Sequence, residues 1–439
     1  MAKIVPIRGI RYNTAKAGSP ERLITPPYDV IDAEGQKEYY AKSPYNIIRL
    51  EYGEVREHDD ATDNRYTRAR GFFTSWLREG ILLPEEKPAV YFYEQEFQAE
   101  GRRFVRNGLF AGVGLEEYAS GMILPHEETL SKAKADRLEL MRHCEANFSP
   151  IFGLYDDPGL VMEALAAQYK KKQPALAFSD ENGESHRLWV VSDEDALQRI
   201  KTFFAGHKIY LADGHHRYET ALAFSREQKA AGRDNFDFCL MVLVNLHDPG
   251  LVIFPTHRLL KNVAGFEPES FLNSLREIFT VETVAAGTGR DILPLEFTLL
   301  QKYMAGYNAY LLYLGDNRFV RLRIPRRPEH PVMRKLYPAH SAQWRTLDVA
   351  VLQGLVLESI LGIGSEARAG GDNLTYTRNT EEALAAVDAG TYQAAFFLNT
   401  TRVEEVIAVA AAGDKMPQKS TFFYPKLVTG LVINDFTRQ

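Results

Sequence analysis

Apolar residues recur along the chain with two spacings, which predict strands and helices in alternation. Continuous apolar runs typical of buried strands occur at AVYFYEQEF, FVRNGLFAGVGL, RLWVVSD, KIYLADG, DFCLMVLVNL and QAAFFLN, and NIIRLE has the pattern of another strand. Helical spacing occurs in EDALQRIKTFFAG, HHRYETALAFSREQKAAG and WRTLDVAVLQGLVLESIL, and over residues 59–79. The mixture predicts an α+β fold, that is, a mixed α/β fold.

The order of these elements predicts three segments. Residues 1–157 form an N-terminal α+β region, and residues 158–265 follow a βαβα-like order. Residues 266–439 return to an α+β pattern, in which NAYLLYLG and RFVRLRIP predict a hairpin around Asp316 and Asn317. We expect domain boundaries after residues 157 and 265, with one compact unit as the alternative.

Composition limits the classes of function. The chain is 45% hydrophobic and 25% charged, which is typical of globular proteins, and its net charge of −6 argues against a broad nucleic-acid-binding face. Cys144 and Cys239 are the only cysteines, too few for a disulfide framework or a cysteine-based zinc site. No stretch approaches the roughly 18–20 apolar residues of a membrane span, and the N-terminus lacks a signal-peptide core. We expect a cytoplasmic protein, monomeric or homo-oligomeric, without a membrane partner.

The segment LADGHHR predicts an anion site. A strand-like run ends at Asp213, Gly214 turns the chain, and His215, His216 and Arg217 open a helix-like segment. The start of a helix leaves backbone N–H groups unpaired within the helix and carries positive potential, so phosphate is a suitable ligand. Asp213 would hold a metal ion or take a proton. The structural alternative is an Asx turn that caps the helix.

Three further segments concentrate hydrogen-bond donors and charged groups: PHEETLSKAKADR, PTHRLL and MPQKSTFFYPK, the last of which also contains Lys426. A glutamate beside a histidine suits a general base, which makes Glu127 a predicted base, and basic side chains suit a phosphoryl group. The alternative for each segment is a solvated loop or a helix cap. The predicted phosphate-binding residues of these segments are His126, Thr129, Lys132, Arg137, His257, Arg258, Lys419, Ser420 and Thr421.

Two N-terminal segments are expected to have structural roles. Tyr28 and Asp29 follow a double proline in TPPYDVI, which predicts a rigid turn. Asn46 and Arg49 flank the predicted strand at NIIRLE.

The residues DGHHRYETA resemble the turn-and-helix signature of the ParB/sulfiredoxin superfamily, and the resemblance covers about residues 186–260. His215 occupies the position of the sulfiredoxin cysteine, so the resemblance does not extend to sulfinic-acid repair. The turn is also similar to that of the ADP-dependent free-serine kinase, an enzyme of that superfamily. The whole chain is also similar to a large bacterial family known as a domain of unknown function, through PPYDVI, NIIRLE, PHEET with the later DR, NFSPIFGLY, DGHHRYETA, PTHR, WRTLDVAVL and MPQKSTFFYPK.

The superfamily resemblance implies a small-molecule phosphotransferase. The Gly214 turn would hold a donor phosphate, and Arg217 with one histidine would neutralise the charge of the transferring group. The implied donor is ATP, ADP or pyrophosphate with Mg²⁺, and the implied acceptor is a small hydroxylated metabolite, with free L-serine as the first choice. Basic side chains of the three other segments would converge on the turn. The predicted catalytic residues are Asp213, His216 and Glu127, with Glu219 as a weaker alternative to Asp213 as the base.

Two other classes use the same anion site. One is a ParB-like nucleotide-binding regulatory protein. The negative net charge of the chain and the lack of a basic stripe argue against DNA binding by such a protein. The other is a phosphohydrolase or nuclease, which the lack of paired carboxylates near LADGHHR disfavours.

Overall fold

A computed structural model of the 439-residue chain describes residues 2–127, 129, 131–284, 289–364, 367–368 and 371–438, without the side chains of residues 131–132 and 289–290. Its helices and strands confirm the predicted mixed α/β composition. Among the described residues, no helix combines the length and the apolar character that a bilayer crossing requires.

The chain divides into two compact units. Unit 1 consists of Met1–Pro125, Thr129–Val252 and Pro425–Gln439, and unit 2 consists of His126–Glu128 and Ile253–Tyr424. This division does not follow the predicted boundaries after residues 157 and 265, because strands from the first two predicted segments belong to one sheet. The three-domain scheme stays a prediction.

Unit 1 contains a large mixed sheet. Its described strands lie, in spatial order, as Ile123–Leu124, Ile209–Asp213, Ile151–Tyr155, Phe238–Asn245, Arg102–Gly114, Val90–Ala99, Ser185–Val191 and Leu176–Ser179, with Ile4–Val5 beside Arg102–Gly114. Ile209–Asp213 runs parallel to Ile123–Leu124 and antiparallel to Ile151–Tyr155. The described strands of residues 186–260 thus lie at separate places in this sheet, except Val252–Phe254 and His257–Leu260, which belong to other sheets.

The helices of unit 1 include the amphipathic helices that the spacing predicts. EDALQRIKTFFAG forms Glu194–Phe204, which Asp193 caps by accepting a hydrogen bond from the backbone N–H of Ala196. The α-helices are Thr14–Ala17, Ala33–Lys42, Ile48–Glu51, Arg65–Glu79, Ser131–Cys144, Val161–Lys170, Glu194–Phe204 and His215–Ala230. The 3₁₀ turns are Pro20–Arg22, Tyr28–Val30, Tyr118–Ser120 and Phe436–Arg438, and short strand pairs join Ile10–Tyr12 to Leu82–Pro84 and Ala146–Asn147 to Asn434–Asp435.

The prediction of a strand at NIIRLE is wrong. The segment forms the short helix Ile48–Glu51, because the Asn46 side chain accepts a hydrogen bond from the backbone N–H of Ile48 and starts a helical turn. Ile47 and Leu50 are both buried in this conformation, so a helical turn buries the apolar side chains of the segment as well as a strand would.

Unit 2 is built on a second sheet. Its described strands lie in the order Thr280–Thr283, Phe319–Pro325, Tyr307–Tyr313, Ala394–Leu398, His257–Leu260 and Leu374–Thr377, and a separate pair joins Val252–Phe254 to Phe422–Tyr424. Its helices are Pro268–Arg276, Gly289–Ile292, Leu293–Tyr303, Pro331–Leu336, Ala342–Arg345, Asp348–Val351, Leu352–Glu358, Thr380–Asp388 and Val403–Ala411. The hairpin predicted around Asp316 and Asn317 is confirmed, and both residues have positive φ, as a tight hairpin turn requires.

WRTLDVAVLQGLVLESIL does not form the single helix that its spacing predicts. Leu347 is extended, with ψ of 137°, which separates Ala342–Arg345 from Asp348–Val351. Leu352–Glu358 then continues as a π-helix. The break accompanies the buried carboxylate of Asp348, which accepts hydrogen bonds from Asn308 and Arg326.

Candidate functional site

The segment LADGHHR forms the predicted strand, turn and helix in unit 1. The strand Ile209–Asp213 leads into Gly214, which has φ of 88° and precedes the helix His215–Ala230. A Cβ atom at position 214 would lie 3.0 Å from Nε of Arg217, so glycine is needed both for the left-handed backbone and for the approach of the guanidinium. The turn therefore holds Arg217 against the start of its own helix.

The carboxylate of Asp213 bridges two cations. Lys426 Nζ donates to Oδ1 at 2.7 Å, and Arg217 Nη2 donates to Oδ2 at 2.8 Å. Burial disfavours the ionised carboxylate, but Lys426, Arg217 and His215 together hold the pKa of Asp213 well below its usual range. Two cations and one carboxylate leave one net positive charge, and the helix N-terminus adds positive potential at the same place.

Arg106 fixes the backbone beside Lys426. Its Nη2 donates to the carbonyl oxygen of Pro425 at 2.8 Å and to Oε1 of Gln95 at 2.5 Å, and the side chain is buried. This contact ties the C-terminal segment, and with it Lys426, to the strand Arg102–Gly114.

A small cavity of about 30 Å³ lies behind Arg217, large enough for one or two water molecules. Arg217 Nη1 donates to the carbonyl oxygen of Pro150 beside it. Arg137, Glu51 and Ser149 line the same cavity, so the structure brings Arg137 near Arg217 as part of a buried polar wall.

Arg137 is engaged by acidic groups. Its Nη1 donates to the backbone oxygen of Glu51 at 2.7 Å and lies 3.3 Å from Oε1 of the same residue, and its Nε donates to Asp136 at 2.8 Å. The guanidinium also lies 4.0 Å from the ring centre of Tyr28. Burial raises the pKa of the Glu51 carboxyl, although Arg137 and a hydrogen bond from Ser149 oppose the rise. These contacts show that Arg137 is the ion-pair partner of the buried Glu51 carboxylate.

The exposed side of the turn carries His216 and Glu219. Thr129 Oγ1 donates to Oε2 of Glu219 at 2.6 Å, and Lys134 Nζ donates to the same oxygen at 3.0 Å. Burial lowers the pKa of His216; Asp29 and Glu219 oppose the shift, and Lys134 and Arg217 add to it. The lowered pKa favours the neutral imidazole at His216. His215 is buried, and the side chain of Lys132 lies outside the described residues.

A second group of predicted residues lies together in unit 2. His126 Nε2 is 3.1 Å from Thr421 Oγ1, and Glu127 follows His126 in the chain. Arg258 Nη2 donates to the carbonyl oxygen of Lys419 at 3.1 Å, and Thr401 donates to that of Ser420 at 2.9 Å. Because these residues belong to unit 2, their predicted convergence on the Gly214 turn stays a prediction.

His257 requires a correction. The backbone N–H of Leu398 donates to its Nδ1 at 3.3 Å, and its ring is stacked on that of Phe297 with centres 6.2 Å apart. Burial, with a smaller effect of Arg258, lowers the pKa of His257 to about 3. This enclosed neutral imidazole belongs to the core and presents no surface to a phosphate, contrary to its predicted role.

Lys426 and Glu51 are the residues that sequence reasoning did not place at the site. Lys426 is in the donor-rich segment MPQKSTFFYPK, but 213 positions separate it from Asp213. Glu51 ends NIIRLE, whose pattern predicts a strand with a structural role. In the sequence, Lys426 and Glu51 are each a charged residue next to an apolar run, and this pattern does not identify the residue that each one contacts.

Replacing Gly214 with alanine tests the close approach of Arg217. Gly232, which follows the same helix, is the matched control, since its φ is also positive and an added Cβ there meets open space among the described residues. We expect each alanine to cost about 1–2 kcal/mol of unfolding free energy, because both adopt left-handed backbone. Only G214A should also weaken the binding of pyrophosphate, an anion predicted for this turn, in calorimetry; equal affinity in G214A and the wild type would contradict the steric account.

The structure of the chain is distantly similar to several solved structures. A free serine kinase in complex with AMP is 13% identical, with a TM-score of 0.34 over 76% of this chain and 93% of that chain. A conserved hypothetical protein from Pyrococcus furiosus is 13% identical, with a TM-score of 0.33 over 76% and 97%. C-terminally truncated SbnI from Staphylococcus aureus is 11% identical, with a TM-score of 0.34 over 74% and 87%. No curated protein matches the sequence.

The family comparison covers most of the chain. Residues 4–350 match the family described as "Protein of unknown function (DUF1015)", which confirms the family similarity expected from the sequence landmarks. The chain belongs to the DUF1015 family.

Proposed function

We propose that this protein is a small-molecule phosphotransferase, which moves a phosphoryl group from a nucleotide or pyrophosphate to a hydroxyl group of a small metabolite. The proposal rests on the Asp213 carboxylate, which holds Arg217 and Lys426 together at the start of the helix His215–Ala230. Phosphoryl transfer depends mainly on positioning and on electrostatic stabilisation of the transferring group. Two cations and a helix N-terminus at one point supply both.

The roles of the turn residues follow from their contacts. Arg217 and Lys426 would stabilise the negative charge of the transferring phosphoryl group. Asp213 is a weak base, because its pKa is held low and each of its oxygens accepts a hydrogen bond from a cation. In the proposed mechanism Asp213 positions the two cations and does not take the proton, which revises the prediction of a catalytic base at this residue.

His216 is the proposed proton acceptor. It is half-buried next to Arg217, and its lowered pKa favours the neutral form, which a general base requires. Glu219 is a poorer choice, since Thr129 and Lys134 both donate to its Oε2. Glu127 belongs to unit 2 and stays a predicted base.

The residues at the turn do not fit a protein-held Mg²⁺ at Asp213. Lys426 and Arg217 each donate to one oxygen of the Asp213 carboxylate, and their positive charges repel a divalent cation there. No step of the proposed transfer is assigned to a metal at Asp213. The donor is ATP, ADP or pyrophosphate, and the superfamily resemblance of DGHHRYETA makes free L-serine the first acceptor to test.

The proposal is tested by offering the purified protein L-serine together with ATP, ADP or pyrophosphate, each with Mg²⁺ in the buffer. Mass spectrometry should detect O-phosphoserine with at least one donor. Donor hydrolysis without a phosphorylated acceptor would support the phosphohydrolase alternative. Nucleotide binding that leaves the donor intact, with a panel of small alcohols as acceptors, would support the regulatory alternative.

The pH dependence of transfer should report His216. The imidazole must be neutral to accept a proton, so activity is full above its pKa and falls as the pH drops through it. Because burial lowers this pKa, the acid limb of kcat/KM should lie below about pH 6.5, the ordinary value for histidine. D29N should move the limb to lower pH and K134M to higher pH, since Asp29 raises the pKa and Lys134 lowers it.

Lys229 supplies the control for this pH profile. It lies near the end of the same helix and pairs with Asp237, so K229M should leave the acid limb in place. An acid limb that neither D29N nor K134M moves would assign the proton transfer to another group.

A further inference from the structure

We propose that unit 1 contains a binding site for a divalent transition-metal ion at Asp180, Glu184 and His186. One ligand atom from each of the three residues lies within 4.8 Å of the other two. The residues belong to the hairpin formed by Leu176–Ser179 and Ser185–Val191, at the end of the described sheet away from Ile209–Asp213. The site is therefore separate from the proposed phosphoryl-transfer site.

Two of the ligands are oriented by hydrogen bonds on their far sides. The hydroxyl group of Tyr93 is 2.7 Å from Nδ1 of His186, which leaves Nε2 facing the carboxylates. Oδ1 of Asp180 accepts from the backbone N–H groups of Asn182 at 2.9 Å and Glu184 at 3.0 Å, which directs Oδ2 towards His186. Outer partners of this kind fix the direction of metal ligands in proteins.

The third ligand is held in the same way. Oε2 of Glu184 accepts a hydrogen bond from Nε2 of Gln95 at 2.7 Å, and Oε1 of Gln95 accepts one from Nη2 of Arg106 at 2.5 Å. Glu184 and His186 are both buried, and the ring of His186 is stacked on that of Phe178 with centres 4.8 Å apart. Asp180 lies beside the imidazole of His186, and Glu184 is linked through Gln95 to the cation of Arg106; a divalent cation would neutralise the remaining charge of the two carboxylates.

The separation of His186 and Asp180 suits two ligands of one metal ion. Nε2 of His186 lies 3.4 Å from Oδ2 of Asp180, which is longer than an ordinary N–H···O hydrogen bond. Two ligands bound at about 2.1 Å to a tetrahedral ion are separated by roughly 3.4 Å. One imidazole with two carboxylates favours Zn²⁺ or Mn²⁺ over Mg²⁺ and Ca²⁺, which prefer oxygen ligands alone.

The burial of the ligands indicates a structural role. The imidazole comes from the strand Ser185–Val191, and Asp180 and Glu184 come from the turn before it, while Tyr93 and Gln95 come from the neighbouring strand Val90–Ala99. A metal ion bound to these residues would link the two ends of the hairpin turn, beside the strand Val90–Ala99. Its binding free energy would add to the stability of unit 1.

Metal titration of the full-length protein tests the site. Protein stripped with a chelator receives Zn²⁺, Mn²⁺, Mg²⁺ or Ca²⁺, and the bound metal is counted by mass spectrometry while melting is recorded. We expect about one Zn²⁺ per chain and a higher Tm, with weaker or no effect of Mg²⁺ and Ca²⁺. E184Q, which keeps the acceptor for Gln95, and H186Q should both lose the metal and the rise in Tm.

His247 provides the matched control, since its Nε2 contacts Asp156 at 2.8 Å on the surface, and H247Q should retain the metal. R217A should retain it too, which separates this proposal from the phosphotransferase proposal. Wild-type protein that binds no Zn²⁺, or metal binding unchanged in both E184Q and H186Q, would overturn the site. If either variant fails to fold, the site is tested by adding Co²⁺ to the wild type. A tetrahedral site of this kind gives intense visible absorption bands, whereas Co²⁺ bound at the surface does not, and the absence of these bands would overturn the site.

Discussion

Replacing Arg217 with alanine is expected to lower kcat/KM for phosphoryl transfer by about 10³-fold or more, the usual effect of removing an arginine that stabilises a transferring phosphoryl group. Arg217 contacts Asp213 at 2.8 Å and stands at the start of the helix His215–Ala230, so its loss removes one of the two cations at the turn. The kinetics are measured with the donor and acceptor that the product assay identifies.

Arg226 supplies the control for this experiment. It lies on the same helix, is largely exposed and pairs with Glu117, so R226A should keep wild-type kinetics. R217K, which keeps a positive charge but cannot reach both Asp213 and Pro150 in the same way, should fall between the wild type and R217A. Equal activities of R217A and R226A would remove Arg217 from the proposed mechanism.

Replacing Arg137 with leucine should produce the largest loss of stability. The change leaves the buried Glu51 without its cation, and breaking a buried pair in this way costs about 3–5 kcal/mol. Urea unfolding followed by tryptophan fluorescence measures the unfolding free energy.

Arg142 lies one and a half turns further along the same helix and tests whether burial causes the loss. It pairs with Glu139 and Glu227 on the surface, where ion pairs contribute about 0–1 kcal/mol, so R142L should be nearly neutral. Similar losses for R137L and R142L would show that burial of the Arg137–Glu51 pair does not cause the loss of stability.

Local patterns predicted the turn, because every signal for it lies within a few residues. An apolar run, a glycine and helical spacing follow one another in LADGHHR, and each acts on its own neighbours. The hairpin around Asp316 and Asn317 was predictable for the same reason, since the two turn residues themselves adopt the required backbone.

Features that depend on distant contacts were not predictable. Lys426 contacts Asp213 across 213 positions of chain, and the sequence around either residue does not indicate the other as its partner. His257 has a polar side chain in a donor-rich segment, yet the aromatic rings of other strands and helices enclose it. NIIRLE has an apolar run that fits a strand or a helix, and the side chain of Asn46 decides between them.

We expect the turn at Gly214 to support transfer of a phosphoryl group to a small hydroxylated acceptor. Transfer of labelled phosphate from ATP, ADP or pyrophosphate to L-serine, in a single turnover with excess enzyme, tests it most directly. Labelled O-phosphoserine is expected from the wild type and R226A, and none above background from R217A. Labelled product that forms equally in R217A, or no labelled acceptor with any donor and any small alcohol, would contradict it.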